Sequence, residues 1–238
     1  SEMCIRDRME TLQTLFHDYG AKMGTAIFQH TVYVLVSVAI GFAVGLVLGI
    51  LLSRIPRWLS GIIIPVLSIF QTIPGLVFIG VLFIWWGNIY PTVIVALSVY
   101  AMFPILKNTY TGILEVENKY IEAAKGCGMS PFQTLVRVEL PLAMPVIVAG
   151  VRMAAIYTVS WAVLASMISL GGLGDFVYQG TTSNNNTLIL LGAIPAAILA
   201  IVFGAAIDLL QKKVTPRGLR KGAVSYTHLR AHETSQDL

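Results

Sequence analysis

Side chains able to do chemistry are sparse in this sequence, and none is arranged for catalysis. The four histidines gather neither with one another nor with carboxylates at metal-ligand spacing, and no nucleophile is set beside a base. Two cysteines, Cys4 and Cys127, make no disulfide framework. No G-x-x-x-x-G-K-[ST] run occurs, so the chain lacks that phosphate-cradling loop. What stands out is a charged interval between two apolar halves, Lys119 to Pro141, K-Y-I-E-A-A-K-G-C-G-M-S-P-F-Q-T-L-V-R-V-E-L-P. Its residue types suit contact with another protein.

The interval reads as two short helices with a break. Tyr120, Ile121 and Ala124 share a face at helical spacing. Gly126 and Gly128 are expected to stop the first helix, because glycine accepts the left-handed conformation of helix ends. Ser130 is placed to cap the second, with Pro131 at its first position and Gln133 completing a capping box. Leu140-Pro141 then hands the chain to an apolar segment. The expectation is a compact knob on the basic side of a membrane.

A membrane is implied by composition. Of 238 residues 56% are hydrophobic and only 12% charged, against about 25% charged in ordinary soluble domains. Mean hydropathy is +0.76. The net charge of +4 acts as a topology signal and not as a nucleic-acid footprint, since no basic patch is interleaved with aromatics. Residues 1–8 and 224–238 share no pattern with the rest and read as foreign tails around a frame starting at Met9. No cleavable signal peptide is expected, because Met9 to Met23 is polar and the first apolar run is too long.

The elements that position the knob are apolar runs. An all-α integral membrane fold with five transmembrane helices is expected, at about 27–52, 59–86, 89–106, 141–170 and 187–210, with the knob loop at 107–140. Gly41, Gly45 and Gly49 put a smooth stripe on the first span, for packing within the chain or against another subunit. The second span carries Pro65 and the polar break Gln71-Thr72-Ile73-Pro74-Gly75. It reads as one broken helix or as two short spans, the first preferred. Irregular backbone at membrane depth survives where it is buried or lines a wet cavity. Gln71, Thr72 and Pro74 are therefore pathway candidates, alongside an ordinary proline kink. With the C-terminal basic cluster inside, five spans put Arg54, Arg57, the knob's basic residues and Lys212 to Lys221 on the cytoplasmic side and the N-terminus outside.

The spacing Glu122-Ala123-Ala124, three residues, Gly128, nine residues, Val138-Glu139-Leu140-Pro141 closely resembles the EAA loop of permease subunits in binding-protein-dependent ABC importers. Valine replaces the usual isoleucine at 138. The resemblance runs from about Val32 to Lys221. Q-T-I-P-G at 71–75, F-P-I-L-K-N-T-Y at 103–110, G-G-L-G at 171–174 and V-T-P-R-G-L-R at 214–220 look like the osmoprotectant branch, which handles glycine betaine, carnitine and choline. Glu117-Asn118 stands where that branch usually has Asp-Pro. The resemblance implies a type I importer fold in a bacterial or archaeal cell membrane, with no cofactor. It also implies a cytoplasmic ATP-binding subunit, an extracellular or lipid-anchored solute-binding protein and a second permease copy or paralogue as partners. Glu122, Ala123, Ala124, Gly128, Leu140 and Pro141 would then couple to the ATPase, the two alanines permitting close approach.

Other residues carry two readings each. Arg152, inside the fourth span, is a pathway candidate or a structural or snorkelling charge. Asp208 reads as an interfacial charge within reach of the basic C-terminus. Trp85, Trp86 and Tyr90 form an aromatic belt or a quaternary-ammonium cage. Gly171 to Gly174 make a re-entrant loop or a turn. An ion-coupled secondary transporter is the competing class, and it would need mid-membrane carboxylates that the five spans lack. A membrane enzyme ranks last.

Overall fold

The computed structural model of the protein describes residues 2–87, 89–166 and 171–214. Among them the regular structure is entirely helical: α1 (Glu2–Arg54), α2 (Arg57–Thr72), α3 (Gly75–Trp86), α4 (Ile89–Leu114), α5 (Asn118–Gly126), α6 (Pro131–Thr134), a π-turn (Leu135–Glu139), α7 (Leu140–Ala165), α8 (Leu173–Thr182) and α9 (Asn186–Val214). Four stretches are long and apolar enough to cross a bilayer: Tyr19–Arg54, Tyr90–Leu114, Pro131–Ala165 and Asn186–Lys213. The α2–α3 pair passes the same test jointly, bent by 89° at its break. The pair is a broken span or a re-entrant loop, so the all-α integral membrane fold has four or five spans. The foreign-tail assignment for 224–238, the motif beyond Val214 and the end of the expected 141–170 span lie outside the described residues.

Proline sets the major breaks. Ile55 and Ile73 each precede a proline, which disfavours the helical conformation at that position. α1 accordingly stops at Arg54, and α2 ends with Ile73 extended (φ −68°, ψ 125°). Pro65 is accommodated inside α2. Hydropathy and helix do not share boundaries. α4 continues through Lys107 to Leu114, about 39 Å in all at 1.5 Å per residue, because a single lysine ends an apolar run but not a helix.

α4 is the central rod, packed between α1 and α7. The glycine stripe decides the first contact. A Cβ at Gly41 would lie 2.8 Å from Ala101 Cβ, one at Gly45 2.6 Å from the Met102 carbonyl, and one at Gly49 2.6 Å from Thr109 Cβ. The stripe therefore serves packing within this chain, bringing two backbones together where apolar solvent gives no hydrophobic drive. Ala154, Ala155, Thr158, Val159, Ala162 and Ala165 do the same on α7. Tyr33, Val34, Ile79, Val93, Ala96 and Leu97 complete the main core with the Val159 to Ala165 face. Outward rows such as Ile194, Ile198 and Ile201 on α9 remain exposed, as lipid-facing or subunit-facing surfaces do in a membrane.

Candidate functional site

The knob is built as capping chemistry dictates, except in two places. α5 ends in a Schellman motif: the Met129 amide donates to the Ala124 carbonyl at 3.1 Å and the Gly128 amide to Lys125 at 2.9 Å. Only Gly128 is left-handed (φ 77°); Gly126 closes the helix in ordinary geometry and, contrary to expectation, is not part of the stop. The Ser130 capping box is complete, Oγ accepting from the Gln133 amide at 3.3 Å and Gln133 Oε1 accepting from the Ser130 amide at 2.9 Å. The helix it caps is the second departure, because α6 is not a separate element. It runs through the π-turn into α7, making one 35-residue rod from Pro131 to Ala165. Pro141 cannot donate to the ladder, and a wider turn just before it, with the Leu140 amide reaching back to Leu135, lets the rod continue.

The residues expected to couple do not all face one way. Glu122 and Ala123 are exposed, whereas Ala124 is buried and packs inward with the half-buried Ile121. Tyr120, expected on that same face, turns outward, its ring under Lys119 Nζ at 5.0 Å. Gly128 is exposed; Leu140 and Pro141 are half-buried at the root of the rod. Beyond the cap, Phe132 and Val136 sit one turn apart with 74% and 45% of their surface exposed. Glu117 and Lys119 form an exposed ion pair at 2.6 Å, which raises the lysine pKa.

One ion pair holds the knob to the bundle, and nothing local in the sequence announces it. Glu139 in the π-turn is buried, yet its carboxylate receives both guanidinium nitrogens of Arg54 at the end of α1, Nη1 at 3.2 Å to Oε1 and Nη2 to Oε2. The bidentate geometry makes it a strong pair. A cavity of about 370 Å³ opens beside it, lined also by Ile121, Lys125, Met129 and Thr134.

The break between α2 and α3 is satisfied by aromatic side chains of neighbouring helices. Tyr100 Oη donates to the Ile73 carbonyl at 2.6 Å, covering a backbone acceptor that the interrupted helix leaves open. Tyr100 stacks on Trp161 with centroids 4.9 Å apart and meets Phe78 edge-on at 5.7 Å. Trp161 fills the space a side chain at Gly75 would need, so only glycine fits there. Gln71 is half-buried, while Thr72 and Pro74 are exposed; the Thr72 hydroxyl donates to Ile69. Arg152 Nε lies 3.3 Å from Asp208 Oδ1, with roughly half of the arginine and two-fifths of the aspartate exposed. Asp208, expected as an interfacial charge within reach of the basic C-terminus, is the partner of Arg152. Trp85 is 87% exposed and Trp86 and Tyr90 are also open, so the described rings line an outer surface and do not close a cage. Gly171 and Gly172, at φ 80° and 94°, form a tight turn into α8.

A bundle of apolar helices with a sharply broken pair and a capped protrusion is an all-α membrane architecture. Residues 41–219 match the family model of the binding-protein-dependent transport system inner membrane component, and the chain belongs to that family. It is therefore a multi-pass inner-membrane permease, the family being one of transport permease subunits, and the family implies an ATPase and a solute-binding protein as partners. The chain is 39% identical over 213 residues to the carnitine transport permease protein OpuCB of Listeria monocytogenes, covering 90% of this chain and 97% of that one. It is 39% identical over 202 residues to the choline transport system permease protein OpuBB of Bacillus subtilis, covering 85% and 93%. The glycine betaine/carnitine/choline permease OpuCD of the same organism is 38% identical over 218 residues, covering 90% and 95%. In fold, the chain is similar to the inward-facing MetNI methionine ABC transporter (TM-score 0.75, 24% identity, 84% of this chain and 99% of that one).

Proposed function

We propose that this chain is the membrane-spanning half of an ATP-driven importer for osmoprotectant quaternary amines of the glycine betaine, carnitine and choline type. The observation that carries the coupling part is the capped protrusion. Glu122 and Ala123 are exposed on α5, and Phe132 and Val136 are exposed on the segment that follows it. Exposed apolar side chains, a carboxylate and a small residue on one protrusion suit insertion into a groove of a second protein. ATP hydrolysis belongs to that protein.

The protrusion is taken to be cytoplasmic, with the N-terminus outside, on the strength of the basic residues around it. The solute class rests on the named solutes of three relatives at 38–39% identity. Gln71, Thr72 and Pro74 are proposed to border the pathway, which two copies or two paralogous halves would enclose, since five spans make a thin wall. Arg152 is proposed to hold α7 to α9 through Asp208 and not to meet solute. Reconstitution with the ATPase and receptor encoded beside it tests the reading directly. ATP-dependent uptake of labelled carnitine, choline or glycine betaine is expected; uptake driven by an ion gradient without ATP would overturn it.

A further inference from the structure

Midway along α1, where its apolar stretch begins, a cavity of about 390 Å³ opens between that helix and the turn into α8. This falls within the roughly 300–1,000 Å³ of small-molecule sites. Tyr19, Lys22 and Gln29 reach it from α1, spaced three and seven residues apart on one helical face. Asp175, Phe176 and Gln179 reach it from the first two turns of α8. The left-handed turn presses directly on α1, with Gln29 Oε1 2.7 Å from where a Gly171 side chain would begin. Side chains at 171 would therefore close the cavity from beneath.

The lining has an unusual charge arrangement. Lys22 and Asp175 face the same space, yet among the described residues neither has an ion-pair partner, so they stand further apart than the 4.0 Å of such a pair. Asp175 is half-buried, and burial pushes its carboxyl above the ordinary carboxylate range. Phe176 is buried and meets the Tyr19 ring edge-on at 6.2 Å and 69°, giving an aromatic wall beside the carboxylate. Opposite charges held apart across a concave, aromatic-walled space complement a molecule that carries both charges itself.

We infer that this cavity binds a small zwitterion, its quaternary or protonated ammonium against Asp175 and the Tyr19–Phe176 wall and its carboxylate toward Lys22. Cation–π and coulombic attraction serve the ammonium end, and Gln29 and Gln179 supply amide donors for the carboxylate end. The inference rests on the permease reading for its choice of solutes and adds a site on this chain that the coupling residues do not touch.

The test is saturation-transfer NMR on the N-methyl signal of glycine betaine and of choline, with the full chain in lipid nanodiscs and no receptor present. The wild type is expected to show saturable transfer for both. Asp175→Asn weakens both about tenfold, the loss of one coulombic contact. Lys22→Gln, at an exposed position that folding does not need, weakens glycine betaine and leaves choline unchanged. Absence of saturable wild-type transfer, or unchanged binding in both variants, overturns the site. Reduced uptake by the complete importer with an unchanged N-methyl signal assigns the cavity to receptor docking and also overturns it. Absence of wild-type uptake for both solutes overturns the permease reading and not the site, whose signal is read without transport.

Discussion

Arg54→Met is the perturbation that discriminates most sharply, because the Arg54–Glu139 pair is lopsided. The glutamate side chain is 4% exposed and the arginine 45%. Removing the arginine strands a buried carboxylate, which costs about 3–5 kcal/mol when nothing replaces the partner. The adjoining cavity of about 370 Å³ is roomy enough for water and holds the cost near the lower figure. Glu139→Gln is milder: the freed guanidinium turns to solvent, and the amide oxygen still accepts one hydrogen bond, so about 1 kcal/mol is lost. The double variant leaves no buried charge and should resemble Glu139→Gln alone. Equilibrium unfolding in mixed micelles of increasing SDS fraction reads all four corners of the cycle. The expected coupling is about 3 kcal/mol, with the double variant about 2 kcal/mol more stable than Arg54→Met. Additive losses would refute the view that a desolvated carboxylate is what Arg54 serves.

The geometry fixes four further outcomes. Gly128→Ala should cost about 1–2 kcal/mol, because space around Gly128 is open and only its positive φ resists a side chain; Gly128→Asn should cost less, and the reverse order in melting experiments would count against the elbow. Ala123→Cys should cross-link to a co-expressed ATPase while the buried Ala124→Cys does not, and equal labelling of both would misplace the contact face. Tyr100→Phe should lower stability by about 1 kcal/mol by uncovering the Ile73 carbonyl, measured by the same unfolding series. Asp175 has a folded-state pKa above its unfolded value, so its contribution to stability is complete below the ordinary aspartate range and is lost as pH rises through the folded value. Asp175→Asn should therefore raise the melting temperature at neutral pH and leave it unchanged in acid; a lower melting temperature at neutral pH would show that the carboxylate is compensated.

Legibility in the sequence followed the range of the interaction. Local rules were readable: the Ser130 capping box, the left-handed Gly128, the break before Pro74 and the four-residue glycine stripe each turn on neighbours a few positions apart. The direction in which α5 turns its faces was not. A nine-residue helix carrying Tyr120, Ile121, Ala123 and Ala124 offers more than one apolar side, and only docking against the π-turn selects Ile121 and Ala124. Arg54 and Glu139 are 85 positions apart, and each alone is an ordinary membrane-border charge. Tyr100 is likewise one aromatic residue in an apolar run until the bend brings Ile73 to it. The continuity of Pro131 to Ala165 escaped because Leu140-Pro141 looks like a stop, and a π-turn leaves no simple periodic mark.

That continuity joins the two features of the molecule on a single element. Thirty-five residues at 1.5 Å each span about 52 Å. Near one end lies the Ser130 cap, exposed beside Glu122; near the other, Trp161 fills the notch at Gly75 and stacks on the tyrosine that holds the broken helix. A stiff rod carries displacement along its length, and its pliant point is the π-turn, where Arg54 grips Glu139. Tilting the protrusion must therefore either drag α1 with it through that ion pair or open the π-turn. In the first case the spans move together and the Trp161 end shifts against Gly75. In the second the motion is absorbed before it reaches the membrane. The ion pair is what favours the first, so weakening it should uncouple the protrusion from the break even where the bundle stays folded.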